Sequence, residues 1–265
     1  MPTFTHDHIN FHYLDKGKGL PVLFLHGMGG ELGQALELLG KTKGIRLISF
    51  DYRGHKATVC DNTARNFSMQ QYAEDALALL DYLEVEKCVV VGLSLGAAIT
   101  LKLNFLAPER ILRFVLLRPA WLNQVLPDNL KESPYISKLI EEHGAEKAQA
   151  IFQQHPKYIE LEAENKNCAL SALWYFQRPQ AASSFLILRQ FPEETPFQNF
   201  EDLKQLTQES LVLACHKDPI HPFEYGITLA EHLPNATFQE VAPRYFEEER
   251  YLQESRIAIE GFIKK

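Results

Sequence analysis

The chain is poor in the residues that mark secreted, metal-binding and membrane-spanning proteins. Its 265 residues hold four cysteines, Cys60, Cys88, Cys168 and Cys215, far apart and with no Cys-x-x-Cys pair. That argues against a disulfide framework or a zinc site. No run of about 18 apolar residues occurs, so no membrane span is expected. Met1 to Asn10 shows no basic stretch leading into an apolar one, hence no secretory signal. A block of positive charge is missing too. Lys and Arg total 27 against 34 Asp and Glu, a net charge of −7. This disfavours nucleic-acid partners and offers an anionic membrane surface nothing to attract. The expectation is a soluble, cytoplasmic protein whose partner is a small molecule.

What is present is a core. Hydrophobic residues make up 46% and charged ones 23%, which excludes a disordered chain. Strand and helix signals alternate through the first half. Strands are expected at His8–Leu14, Pro21–Leu25, Ile45–Phe50, Lys87–Gly92 and Ile111–Leu117. Helices are expected at Glu31–Leu39, behind a capping box at Ser68–Gln71, and at Ser94–Leu106. From Pro119 to Pro196 the strand signals vanish, and helical stretches alternate with Pro134, Pro156 and Pro179. Alternation returns with strands at Ser210–Cys215 and Ala236–Val241 and helices at Pro222–Leu233 and Phe246–Ile263. Continuous apolar strands separated by helices imply a parallel sheet covered on both faces. In such sheets ligands sit beyond the carboxyl ends of the strands. The expected division is a core of residues 1–118 and 197–265 with a helical cap of residues 119–196.

Three segments at that edge carry chemistry. Gly92-Leu93-Ser94-Leu95-Gly96 lies between a strand and a helix. A sharp turn there strains the serine and lifts its hydroxyl beside a helix N-terminus that favours negative charge. His26-Gly27-Met28-Gly29-Gly30 follows an earlier strand. It can aim the Met28 N–H, with that of Leu95, at an oxyanion. Asp218-Pro219-Ile220-His221-Pro222 follows the strand ending at Cys215. Its aspartate can orient an imidazole and also shape its own turn. Beyond these, Trp121 follows the sixth strand, where it either lines a pocket or packs cap against core. Trp174, Tyr175 and Phe176 are expected to anchor the cap. Arg53 and His55 are read as structural. His6 and His8 alternate on one strand face without a partner set, so no metal site is assigned.

HGMGG, FDYRGH, GLSLG, a helical insertion after the sixth strand and ACHKDPIHP, in that order, resemble the α/β-hydrolase fold family. The resemblance runs from about Phe11 to Ile263. It implies a three-layer α/β fold with a mostly parallel eight-stranded sheet and a helical cap. It also implies Ser94 as nucleophile, Asp218 as triad acid and no cofactor. The family's activities are mostly those of esterases, lipases, peptidases, epoxide hydrolases, dehalogenases and C–C bond hydrolases.

The pattern breaks at one place. The family's catalytic histidine follows the last strand, yet here that loop reads Ala242-Pro243-Arg244-Tyr245-Phe246-Glu247, and no histidine occurs after His232. A serine needs a base to surrender its proton, and a guanidinium stays protonated. Three readings stand open. His221 supplies the base from the Asp218 loop, with His216, His26 and His155 as weaker candidates. Against His221 stands its closeness to Asp218, which lets it pair locally and fall short of the serine. In the second reading the pocket binds a small acidic ligand without turnover, with Arg244 as a fixed positive charge. Arg244 can equally form a surface ion pair with Glu247, Glu248 or Glu249. In the third reading the oxyanion donors and the serine act alone, as a slow or substrate-assisted hydrolase. The favoured activity is hydrolysis of an ester, thioester or similar acyl bond.

Overall fold

The computed structural model describes residues 1–265. Eight strands build one sheet: β1 (Thr3–His6), β2 (Ile9–Gly17), β3 (Leu20–Leu25), β4 (Ile45–Phe50), β5 (Cys88–Leu93), β6 (Ile111–Leu117), β7 (Glu209–Ala214) and β8 (Ala236–Glu240). Their spatial order is β1-β2-β4-β3-β5-β6-β7-β8. The first two pairings are antiparallel and the rest parallel.

The parallel strands are apolar throughout because both faces are covered. Alternate residues go to opposite sides. Leu23, Leu25, Val90, Phe114 and Leu116 join one buried cluster, while Val22, Phe24, Val89, Val91 and Val115 join the other. Helices α1 (Gly33–Leu39), α2 (Met69–Tyr82) and α3 (Leu95–Leu106) follow the strands of the first half. The cap between β6 and β7 holds α4 (Ser133–His143), α5 (Ala145–Phe152), α6 (Pro156–Glu164), α7 (Lys166–Gln177) and α8 (Ile187–Gln190), and no strand. Helices α9 (Phe223–His232) and α10 (Glu248–Ile263) close the chain. The α2, α3 and α9 side, with the cap, forms the larger cluster, and α1 and α10 cover the other face. No helix is long and apolar enough to cross a membrane.

Three local details differ from the sequence reading. The first strand is a hairpin. Asp7 and His8 take φ of 48° and 61°, the two-residue turn that matches strand twist, so His6 and His8 do not share a strand face. The added strand β1 has one buried apolar residue, Phe4, too little pattern to read. At α2 half of the capping box forms. The Ser68 hydroxyl accepts from Gln71 N–H at 3.0 Å, but the Gln71 amide turns to Asp75. In the cap, Pro156 starts helix α6 instead of marking a break, since a first-turn proline gives up no hydrogen bond.

Candidate active site

Ser94 sits where β5 ends and α3 begins. Its backbone has φ 55° and ψ −112°, a conformation costing a non-glycine residue about 1–3 kcal/mol. The surroundings enforce it. Ser94 N–H donates to Leu117 O at 3.0 Å, and Ser94 O accepts from Ala97 N–H at 2.9 Å. The two flanking glycines are steric requirements. A Cβ at Gly92 would collide with the Gly96 carbonyl, and one at Gly96 with the Leu25 carbonyl. The serine is half-buried, facing the carboxyl edge of the sheet at the N-terminus of α3.

The loop after β7 brings two partners to it. Lys217 takes φ 56° and turns the chain so that Asp218 folds back under it. The Asp218 Oδ1 atom accepts from the backbone of Ile220 (3.2 Å) and His221 (3.1 Å). The same oxygen lies 2.9 Å from His221 Nδ1, and His221 Nε2 lies 2.8 Å from Ser94 Oγ. Serine, imidazole and carboxylate therefore form one hydrogen-bonded chain. The local pairing expected to compete with reach to the serine instead sets its direction.

Arg118, the first residue after β6, holds the far side of the carboxylate. Its Nε donates to Asp218 Oδ2 at 2.7 Å, and Nη2 lies 2.6 Å from the same oxygen. Its guanidinium lies 5.5 Å from the ring centres of both Tyr245 and Tyr251. Burial alone would raise the Asp218 pKa, but the charges of Arg118 and His221 overrule it and hold the carboxyl well below its usual range. His221 is pushed down by burial, pulled up by Asp218 and pushed down again by Arg118. Its net shift is below the ordinary histidine value, so the imidazole is neutral at pH 7.

The loop after β3 supplies backbone donors. Gly27 N–H is taken by Gln34 Oε1 (3.1 Å) and Gly29 N–H by His55 Nε2 (3.0 Å). Between them the Met28 N–H donates to no protein group, and neither does that of Leu95 at the start of α3. A Cβ at Gly27 would stand 3.5 Å from Ser94 Cβ, so this loop lies directly beside the serine. The Gly29 carbonyl accepts from Trp174 Nε1 in α7 at 2.7 Å. One residue, Gly29, is thus gripped by the core through His55 and by the cap through Trp174.

The other candidates go elsewhere. His26 is buried against Tyr52, with ring centres 3.8 Å apart, and burial pushes it down to about 3. His155 caps α6, and His216 stacks on Phe223. Trp121 is buried and donates to Phe191 O at 3.1 Å, so it ties loop to cap. Arg244 pairs with Glu248 at 2.6 Å and stacks on Tyr251. The place after β8 is a buttress. The Tyr245 hydroxyl meets Ser171, its carbonyl accepts from Asn167, and its ring backs Arg118. Sequence reasoning passed over Arg118, although a cation directly after an apolar strand at the carboxyl edge was a signal. His55 is structural in that it braces the loop after β3, accepting from Gly29 N–H.

A hollow of about 60 Å3 lies between cap and triad loop, lined by Leu130, Ile136, Phe152, Tyr175, Pro219 and Ile220 among others. A larger one of about 700 Å3, at Gln70, Lys102 and Glu194, is polar, and neither hollow is lined by Ser94, Asp218 or His221.

A sequence model of the alpha/beta hydrolase fold matches residues 21–246. The chain belongs to the α/β-hydrolase fold family. Among its relatives is a 2-hydroxymuconate semialdehyde hydrolase of Pseudomonas putida, 27% identical over 231 residues, covering 84% of this chain and 79% of that one. An α/β-hydrolase enzyme from a Medee basin deep-sea metagenome library superposes with a TM-score of 0.80 at 16% identity, covering 100% of this chain and 98% of that one. The enol-lactonase of Burkholderia xenovorans LB400 gives 0.77 at 16% identity over 100% of both chains. At such identities the structural likeness speaks for the fold alone.

Proposed function

We propose that the protein is a serine hydrolase that cleaves an ester, thioester or similar acyl bond of a small molecule. Ser94 is the nucleophile, His221 the base, Asp218 the orienting acid, and the Met28 and Leu95 N–H groups the oxyanion donors. The observation that carries this reading is the 2.8 Å separation of Ser94 Oγ and His221 Nε2, with Asp218 at 2.9 Å behind the imidazole.

With Nδ1–H donated to Asp218, Nε2 presents a lone pair to the serine hydroxyl. As Oγ bonds to the substrate carbonyl carbon, its proton passes to Nε2 and the carbonyl π-electrons move onto oxygen. The oxyanion forms beside the two free N–H groups, each such donor being worth about 2.7–4 kcal/mol of barrier. The intermediate collapses, His221 returns the proton to the leaving alkoxide or thiolate, and an acyl-enzyme remains. Water, deprotonated by the same imidazole, then releases the acid and restores Ser94. The Pseudomonas relative named as a semialdehyde hydrolase fits a small organic substrate.

A fluorophosphonate probe tests the assignment. Ser94 is expected to be labelled within minutes at pH 7.5, and Ser94→Ala to abolish the label. An unlabelled wild-type protein that binds a small acid tightly would support the rival reading of a hydrolase-like ligand-binding protein.

A further inference from the structure

Arg118 does more at this site than hold a loop. Its Nη2 lies 2.6 Å from Asp218 Oδ2 and also 3.0 Å from His221 Nδ1. When Nδ1 carries the proton it gives to Asp218, Nη2–H and Nδ1–H are two donors side by side on one carboxylate. The contact is then no hydrogen bond but an apposition of a fixed cation and the edge of the imidazole. The acid is divided: Oδ1 serves His221 and Oδ2 serves Arg118.

The placement is built into the fold. Arg118 has φ 48°, its N–H donates to Leu213 O at 2.7 Å, and the side chain is buried between Tyr245 and Tyr251. The other titratable groups around this cluster are uncharged at neutral pH. Burial raises Tyr245 from the β8–α10 loop, Tyr251 from α10 and Cys215 from the end of β7, and pushes Cys168 of α7 up to about 12. Arg244 and Lys217, nearby on the surface, are engaged with Glu248 and the Phe246 ring. Within the cluster the charges facing His221 are one carboxylate and one guanidinium.

Taking Ser94 and His221 as nucleophile and base, we propose that Arg118 is a positioning residue that also sets the protonation of His221. By sharing Asp218 and standing against Nδ1, it disfavours the imidazolium. The base then stays neutral to lower pH than in a triad whose acid serves the histidine alone. The same repulsion applies to the imidazolium formed during attack, so the device exchanges some rate for activity in acid.

The test is the titration of His221, read by NMR of its imidazole in the full-length protein, beside the pH profile of kcat/KM. In the wild type the His221 midpoint and the acid limb should both lie below 6.5. Arg118→Gln removes the charge and keeps a donor for Asp218, and should raise both by about one unit, tenfold in proton affinity. Arg118→Lys keeps the charge and loses the fork. It should leave the midpoint within about 0.3 units of wild type while kcat falls, a split that a purely structural anchor would not produce. A wild-type midpoint at or above 6.5 overturns the proposal. So does a folded Arg118→Gln protein with an unchanged or lower midpoint. If that variant does not fold, the wild-type midpoint and the Arg118→Lys split decide. The NMR midpoint needs no turnover, so an inactive wild type would sink the hydrolase reading and leave this one measurable.

Discussion

Two neighbouring loops at the carboxyl edge of the sheet divide the labour unexpectedly. The loop after β8, where the family keeps its histidine, offers Arg244 and Tyr245, and both are spent on packing and an ion pair. The loop after β7 carries a carboxylate and an imidazole together, Asp218 and His221, three residues apart. Chemistry at this edge depends on which atoms reach the serine, and an imidazole has about the same reach from either loop. What the β7 loop needs is a turn tight enough to aim the ring, and Asp218 provides it by accepting two backbone N–H groups while facing Nδ1.

The hardest test of this contrast is to remove the imidazole. His221→Ala should keep the fold and lower kcat by about 10⁴–10⁶, as loss of a triad histidine does elsewhere. Turnover within tenfold of wild type would return the base to some other group and undo the comparison.

Acid should act next most strongly, on stability. His26 and His55 are buried beneath the donor loop. Burial pushes His26 down to about 3 and His55 well below its ordinary value. Their folded pKa values lie below the unfolded one, so the stability they contribute is complete above about pH 6.5. It is lost as pH falls toward 3, at up to about 1.4 kcal/mol per unit for each histidine. Asp218, held low, adds its own loss only below the ordinary carboxylate range. Urea unfolding at pH 7.5 and pH 5 should therefore differ by several kcal/mol. A flat profile over that interval would mean that these rings are not kept neutral by burial.

The architecture was readable from sequence because parallel strands covered on both faces leave unbroken apolar runs such as Val89–Val91, and because Gly92 and Gly96 are demanded by backbone contact. Ser94, Asp218 and His221 could be nominated for the same reason: each follows a strand at one edge. Whether His221 reaches the serine was not readable. It depends on the positive φ of Lys217 and the fold-back of Asp218, which local composition does not encode. The part Arg118 plays was hidden for a related reason. Side-chain direction after a strand end is decided by one backbone angle, here the φ of 48° at Arg118.

A smaller effect probes how the cap serves the core. Trp174 reaches the Gly29 carbonyl from α7, while His55 takes the N–H of the same residue. Trp174→Phe retains an aromatic ring and deletes one hydrogen bond, a loss of about 1 kcal/mol. Acting through the Met28 donor, it should lower kcat about five- to tenfold with KM nearly unchanged. A rise in KM alone would make Trp174 a wall of the substrate site and not a brace of the donor loop.

The smallest effect is expected at the position that sequence comparison would rank high. Arg244 stands where a histidine is usual, but its partner Glu248 lies four residues on at the start of α10, with Arg244 half-buried and Glu248 exposed. Surface ion pairs contribute about 0.2–1 kcal/mol. Arg244→Ala should therefore leave kcat/KM within about twofold and stability within about 1 kcal/mol. It should also leave Tyr245 in place, because that ring is held by Arg118 and Ser171 rather than by Arg244. A loss of affinity for acidic ligands in Arg244→Ala, measured by calorimetry beside His221→Ala, would give the β8 loop a binding role and divide recognition from catalysis between the two loops.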